Sequence, residues 1–156
     1  VLEGFFHKLQ NAFQVPFNNL TNGFTATEVQ SAIEEVGGSL VLTNIPCLSD
    51  VFVGAAVRMN GGTAENALAD TLANSNVIGV VEFKPTTTTC HIRVLGLTPP
   101  IFSGLDETKE FFLSAGTDGL ITPSPPTGSG EIVVRLGQPF DDEIFLMNKG
   151  IRMERV

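Results

Sequence analysis

Val77-Ile78-Gly79-Val80-Val81-Glu82-Phe83, followed after Lys84-Pro85 and four threonines by Cys90-His91-Ile92-Arg93-Val94-Leu95, decides the fold class of this chain of 156 residues. Both runs are short and rich in β-branched residues, as strands packed on a pleated surface require. Gly79 inside the first run predicts a bulge or tight bend, of the kind a small barrel uses to turn its corner. Reading outward, strands are expected over 39–43, 52–59, 77–83, 90–95, 110–114, 131–136, 143–147 and 151–154. Asn60-Gly61-Gly62, Thr98-Pro99-Pro100, Thr117-Asp118-Gly119, Pro123-Ser124-Pro125-Pro126 and Asn148-Lys149-Gly150 separate them, and the last is expected to join two strands as a short hairpin. Thr63-Ala64-Glu65-Asn66-Ala67-Leu68-Ala69 reads as a short helix or as an ordered loop crossing the barrel. The expected fold is mainly β, a small antiparallel barrel or sandwich over 39–156.

Residues 1–38 obey another periodicity. Thr25 and Glu28 have the spacing of a capping box, with Phe24 and Val29 placed as its hydrophobic staple. Val29, Ile33 and Val36 fall on one face of the helix that follows, and Gly37 is its natural stop. Roughly eleven residues of helix do not survive alone in water, so this stripe must be covered by the following domain or by other copies of itself. Upstream, Phe5, Phe6, Leu9, Phe13 and Phe17 crowd a segment too short to make a core. One reading folds that arm back on its own domain. The other, which we favour, is an extended anchoring arm that buries its phenylalanines in neighbouring subunits or a larger assembly.

Composition removes several functions. A net charge of −8 and a pI near 4.6 disfavour attachment to nucleic acid or to anionic membranes, which call for a basic surface. Mean hydropathy is +0.21, yet the charge-free runs hold Thr, Gly, Pro and Asn and none reads as a spanning helix, so membrane insertion is not expected. Val1-Leu2-Glu3-Gly4 lacks the basic and apolar regions of a signal peptide, and Val1 is open to reading as a trimmed start or a fragment end. Cys47 and Cys90 are too few for a disulfide framework; they either pair or remain two partly buried thiols, the simpler reading.

Catalytic constellations are weak. His7 and His91 lie in unrelated contexts, and Gly128-Ser129-Gly130 lacks the helix that follows a nucleophile elbow. Cys90 and His91 are adjacent on a strand and point to opposite faces, so they do not readily share a metal with Cys47. Asp141-Asp142-Glu143 lacks the spacing of a calcium loop and reads as an exposed turn. With no Trp or Tyr the chain also lacks the usual platforms for sugar rings. No enzyme, cofactor or metal is expected.

Pro16-Phe17-Asn18-Asn19-Leu20-Thr21-Asn22-Gly23-Phe24-Thr25-Ala26-Thr27-Glu28-Val29-Gln30-Ser31-Ala32-Ile33-Glu34-Glu35 resembles a segment recurrent in tailed-bacteriophage fibre and head-fibre proteins. There it lies at a trimer axis or at the junction between an anchoring arm and a distal domain. Asp50-Val51-Phe52-Val53-Gly54, Ile78-Gly79-Val80-Val81, Phe111-Phe112-Leu113-Ser114, Pro125-Pro126, Val133-Val134 and Leu136-Gly137 resemble the glycine and apolar-pair pattern of small β domains in phage decoration and fibre proteins. The resemblance implies a non-enzymatic structural protein of the virion, assembled in the host cytoplasm and contacting capsid or tail components. It also implies a homotrimer, with Val29, Ile33 and Val36 at the subunit interface. The long repeats of a fibre shaft are missing, which favours a short fibre or capsid decoration. The alternative is a tail-fibre module that binds a host receptor or carbohydrate through loops such as 86–89 and 99–104.

Overall fold

The computed structural model describes residues 40–155. The helix expected after Thr25, its stripe Val29, Ile33 and Val36, and the arm residues Phe5, Phe6, Leu9, Phe13 and Phe17 lie outside the described residues.

The described chain is mainly β, and no helix occurs among its described residues. Its strands are β1 (Leu40–Pro46), β2 (Ala56–Asn60), β3 (Thr63–Asn66), β4 (Val77–Thr86), β5 (Thr89–Leu97), β6 (Phe111–Leu113), β7 (Ile121–Thr122), β8 (Ile132–Pro139), β9 (Phe145–Met147) and β10 (Arg152–Glu154). They form one sheet in the order β3-β2-β4-β5-β9-β8-β6-β7, with β1 added on β5 and β10 on β8. Every strand pair is antiparallel. The sheet curls like part of a barrel, and a single parallel bridge from Cys47 to Ala64 brings the end of β1 back to β3. Leu48 reinforces that seam by donating its amide to the Ala64 carbonyl at 3.0 Å.

Two apolar cores lie on opposite sides of the β2–β4 wall. Ala56 and Val80 face the larger core, with Leu113, Val134, Leu136, Phe145 and Met147. Their immediate neighbours Val57 and Val81 face the smaller one, with Cys47, Ala64, Cys90 and Ile92. A strand buried on both faces needs apolar residues at successive positions, which is why Val77-Ile78-Gly79-Val80-Val81 does not alternate. β5 has one buried face over its first half, so Cys90 and Ile92 are buried while His91 and Arg93 point to the other side.

The bulge expected at Gly79 is present. Val57 pairs with Gly79 but Arg58 pairs with Val77, which leaves Ile78 as the extra residue. A side chain at Gly79 would drive its Cβ into the carbonyl oxygen of Arg93 and to 2.7 Å from the Ile92 side chain. The Val77 carbonyl beside this bulge accepts a 2.6 Å hydrogen bond from the Lys149 ammonium.

Four expectations need correction. Residues 63–66 are strand β3 rather than helix or loop, because Gly61 and Gly62 take φ of 56° and 87° and return the chain on β2 as a two-residue hairpin. The predicted strand over 52–59 begins only at Ala56, since the Val51 amide bonds to Leu48 and the Ala55 amide to Phe52 in consecutive turns. Asn148-Lys149-Gly150 does not form a hairpin between β9 and β10. The amides of Asn148 and Gly150 donate to Leu136 and Arg135, both at 2.9 Å, so β9 and β10 run on along β8 as one interrupted strand. The chain reverses instead at Asp141, whose carboxylate accepts the amides of Glu143 and Ile144 at 2.9 and 2.6 Å. The two-residue strand β7 was not expected at all; it pairs with β6.

Two ion pairs differ in what surrounds them. Arg93 meets Glu82 at 2.7 Å with the side chains 11% and 13% exposed, whereas Arg58 meets Glu65 at 2.7 Å with 21% and 22% exposed. Arg93→Ala is expected to cost about 2–3 kcal/mol, because it strands the Glu82 carboxylate away from water. Arg58→Ala is expected to cost about 1 kcal/mol or less. Urea unfolding of the two variants measures the difference, and equal losses would contradict this assignment.

Candidate functional site

The hairpin β2–β3 helps build a polar recess. Asn60 pairs with Thr63 across the turn, so Arg58 faces Glu65 two steps further along. The Arg58 guanidinium donates to one Glu65 oxygen at 2.7 Å, and the Asn60 amide donates to the other at 3.0 Å. Beside this pair lies a recess of about 230 Å³, lined by Leu48, Asp50, Arg58, Glu65, Asn66, Leu68, Asn74 and Asp118. The Asn66 amide nitrogen donates to the Asp50 carbonyl at 3.3 Å, while its carbonyl oxygen is buried with no hydrogen-bond partner. That oxygen is aimed at Gly119, where an added Cβ would lie 2.8 Å away. Asn74 donates to both oxygens of Asp70 at 2.9 and 3.1 Å, which fixes the far rim.

The recess holds three carboxylates, Asp50, Glu65 and Asp118, against the single guanidinium of Arg58, which Glu65 already engages. Such a surface suits ligands that present hydroxyl or ammonium donors, and disfavours anions. Sequence reasoning missed it, although Asn-Gly-Gly fixes the register that sets Arg58 opposite Glu65.

A second surface is apolar. Phe83 packs its ring edge-on to His91 at 5.5 Å, and His91 Nε2 lies 3.4 Å from Asn44 Oδ1. On the same strand Leu95 stands opposite Leu40, and Phe83, Leu95 and Leu40 remain 55%, 54% and 52% exposed. A third is a groove of about 500 Å³ along β8 and β10, lined by Phe112, Pro125, Val133, Met153, Glu154 and Arg155.

The loops proposed for receptor contact are both tied down. In 86–89 the Thr86 and Thr89 hydroxyls share a 2.7 Å hydrogen bond, and the Thr88 carbonyl accepts the Cys47 amide at 2.9 Å. In 99–104 the amides of Ile101 and Phe102 donate to Glu143, and the Phe102 ring packs 5.8 Å from Phe145. Cys90 and His91 do lie on opposite faces: Cys90 is buried beside Cys47, and His91 meets Phe83. Asp141 is engaged by the amides of its own turn, and Gly128-Ser129-Gly130 is a turn closed by Glu131, which accepts the Gly128 amide at 2.6 Å.

One exposed carboxylate is shifted. The hydroxyl of Thr108, 2.6 Å from Asp106, lowers its pKa to about 2, helped by Lys109 at 3.0 Å and the Thr108 amide. These bonds hold the 106–109 turn above the ordinary carboxylate range and are lost as pH falls through about 2. A carboxylate NMR titration is expected to place Asp106 near 2, and Thr108→Ala to raise it more than Lys109→Ala. No membrane-spanning helix occurs among the described residues, and no cluster of three His, Cys, Asp or Glu fit to hold a metal. Comparison with known proteins returns no family model, no curated protein and no solved structure that matches this chain.

Proposed function

We propose that the chain is a non-enzymatic structural protein of a tailed-phage virion. In this reading it is a homotrimer, a capsid decoration or short fibre, attached to capsid or tail components through residues 1–38 and presenting residues 39–156 outward as a small β-barrel. The observation that carries the reading is Phe24-Thr25-Ala26-Thr27-Glu28-Val29-Gln30-Ser31-Ala32-Ile33-Glu34-Glu35, in the word order of phage fibre and head-fibre proteins, directly before an antiparallel β unit. Threefold packing of Val29, Ile33 and Val36 supplies the apolar cover that so short a helix lacks alone, and β-branched core residues favour assemblies of more than two helices. Each of Phe5, Phe6, Phe13 and Phe17 that is fully buried in the particle contributes ~1.5–3 kcal/mol to attachment, with Leu9 adding a similar amount. The exposed Phe83, Leu95 and Leu40 offer neighbouring subunits further apolar surface.

Particles assembled with and without residues 1–23 test this reading. Density for the β unit on the particle surface is expected with the full chain and is expected to vanish with the truncated one, while the truncated protein keeps its β circular-dichroism spectrum. Attachment retained by the truncated chain would overturn the anchoring role.

The polar recess supports a second reading, a tail-fibre module that binds a host carbohydrate or receptor. Its Asp50, Asp118 and Glu65 carboxylates match the hydroxyl donors of a sugar. A glycan array would favour this reading if it returned a binder whose signal is lost in Glu65→Ala and Asp118→Asn.

A further inference from the structure

Leu40 opens β1 directly opposite Leu95 of β5. Further along β5, His91 stands opposite Phe83 of β4, and their rings meet edge-on at 5.5 Å. Cys90 and Ile92 turn into the smaller core, whereas Phe83, His91, Leu95 and Leu40 belong to neither core. Phe83, Leu95 and Leu40 are each more than half exposed, so the β4–β5–β1 sheet carries an uncovered apolar strip. The charges along it cancel. Between His91 and Leu95 on β5, Arg93 holds Glu82 at 2.7 Å, with both side chains nearly covered. Covering the strip therefore leaves no buried charge without its partner.

Leu40 is also where the chain arrives from residues 1–38. The step from Val36 to Leu40 is four residues long, a span of at most ~14 Å. We propose that the strip of Phe83, Leu95 and Leu40 is the contact between β units of the homotrimer, each copy's strip meeting those of the other two around the threefold axis. The inference rests on the trimeric reading above: helices packed through Val29, Ile33 and Val36 bring three copies of Leu40 toward the axis on that short tether, and the strips with them. Residues beside a threefold axis meet their own copies, which suits an apolar strip that needs no complementary pocket elsewhere. The strip does not assemble copies unaided. Three half-exposed side chains fall well short of the ~800 Å² per partner that a stable interface buries. Tethered copies meet at an effective concentration of roughly millimolar, where so small a contact adds measurably to assembly.

The test uses the full chain carrying Leu95→Cys, treated with a short bismaleimide, beside Leu72→Cys, an equally exposed position in the loop between β3 and β4. Cys47 and Cys90 are buried, so the unsubstituted chain is expected to remain unlinked. Chain-to-chain linkage is expected to run at least about tenfold faster at Leu95→Cys than at Leu72→Cys. In light scattering across a dilution series, Leu95→Glu sets three carboxylates against one another and is expected to raise the concentration at which the trimer dissociates by about tenfold or more. Leu72→Glu is expected to leave that concentration within about twofold. A trimer in which Leu95→Cys links no faster than Leu72→Cys, or which Leu95→Glu does not loosen, would overturn this face while leaving assembly through Val29, Ile33 and Val36 in place. A full chain that stays monomeric at every concentration would overturn both.

Discussion

Phe145→Ala is expected to lower the stability of the β unit by about 3–5 kcal/mol, close to the whole stability of many small domains. Phe145 is fully buried in the larger core, where its ring meets Phe102 at 5.8 Å and Phe111 edge-on at 6.0 Å. Phe102 belongs to the 99–104 loop and Phe111 to β6, so one side chain joins β9 to two otherwise separate segments. Its backbone is engaged as well: the Phe145 amide donates to the Thr98 hydroxyl oxygen at 3.0 Å, and its carbonyl accepts the Thr98 amide at 2.9 Å. Truncation leaves those bonds in place but opens a cavity that three elements line. Urea unfolding followed by circular dichroism measures the loss. A midpoint shift worth under about 1 kcal/mol would mean that the core collapses around the gap, against the packing described here.

Gly137→Ala is expected to destabilise by about 3 kcal/mol or more, and to do so through the backbone. β8 and β9 approach so closely at this point that an added Cβ would overlap the Leu146 carbonyl oxygen and lie 3.1 Å from the Phe145 ring. Gly137 pairs with Met147 on one side and Phe111 on the other, so neither neighbour withdraws without breaking a ladder. Gly116→Ala is the matched control. Nothing lies within 4 Å of its added Cβ, and the expected change is within about 0.5 kcal/mol. If the two substitutions cost the same, the close approach of β8 to β9 is wrong.

The strand content was legible because turn residues and β-branched runs punctuate the sequence at short intervals. Val77-Ile78-Gly79-Val80-Val81 announced a strand and its bulge, and both are present. What the one-dimensional pattern did not carry was pairing. Asn148-Lys149-Gly150 has the residues of a hairpin turn, but the choice between reversing and bulging is made by the carbonyls of Leu136 and Arg135, far away in sequence. Helical composition in Ala64, Ala67 and Ala69 masked β3, of which Ala64 is the one alanine and is fully buried. The polar recess was hidden for the same reason. Asp50, Glu65, Asn74 and Asp118 are scattered along the chain, and only the hairpin register and the 117–119 turn bring them together. The sites read from the N-terminal segment, Val29, Ile33 and Val36 with the phenylalanine arm, rest on helical spacing and on resemblance.

The mass of the full chain in solution tests the central claim most directly, that this is a subunit completed by its own copies through residues 1–38. Light scattering at micromolar concentration is expected to give a mass near three times 16.6 kDa, falling to one chain when Val29, Ile33 and Val36 are together replaced by serine. A clean monomer near 16.6 kDa with the N-terminal segment intact would contradict it.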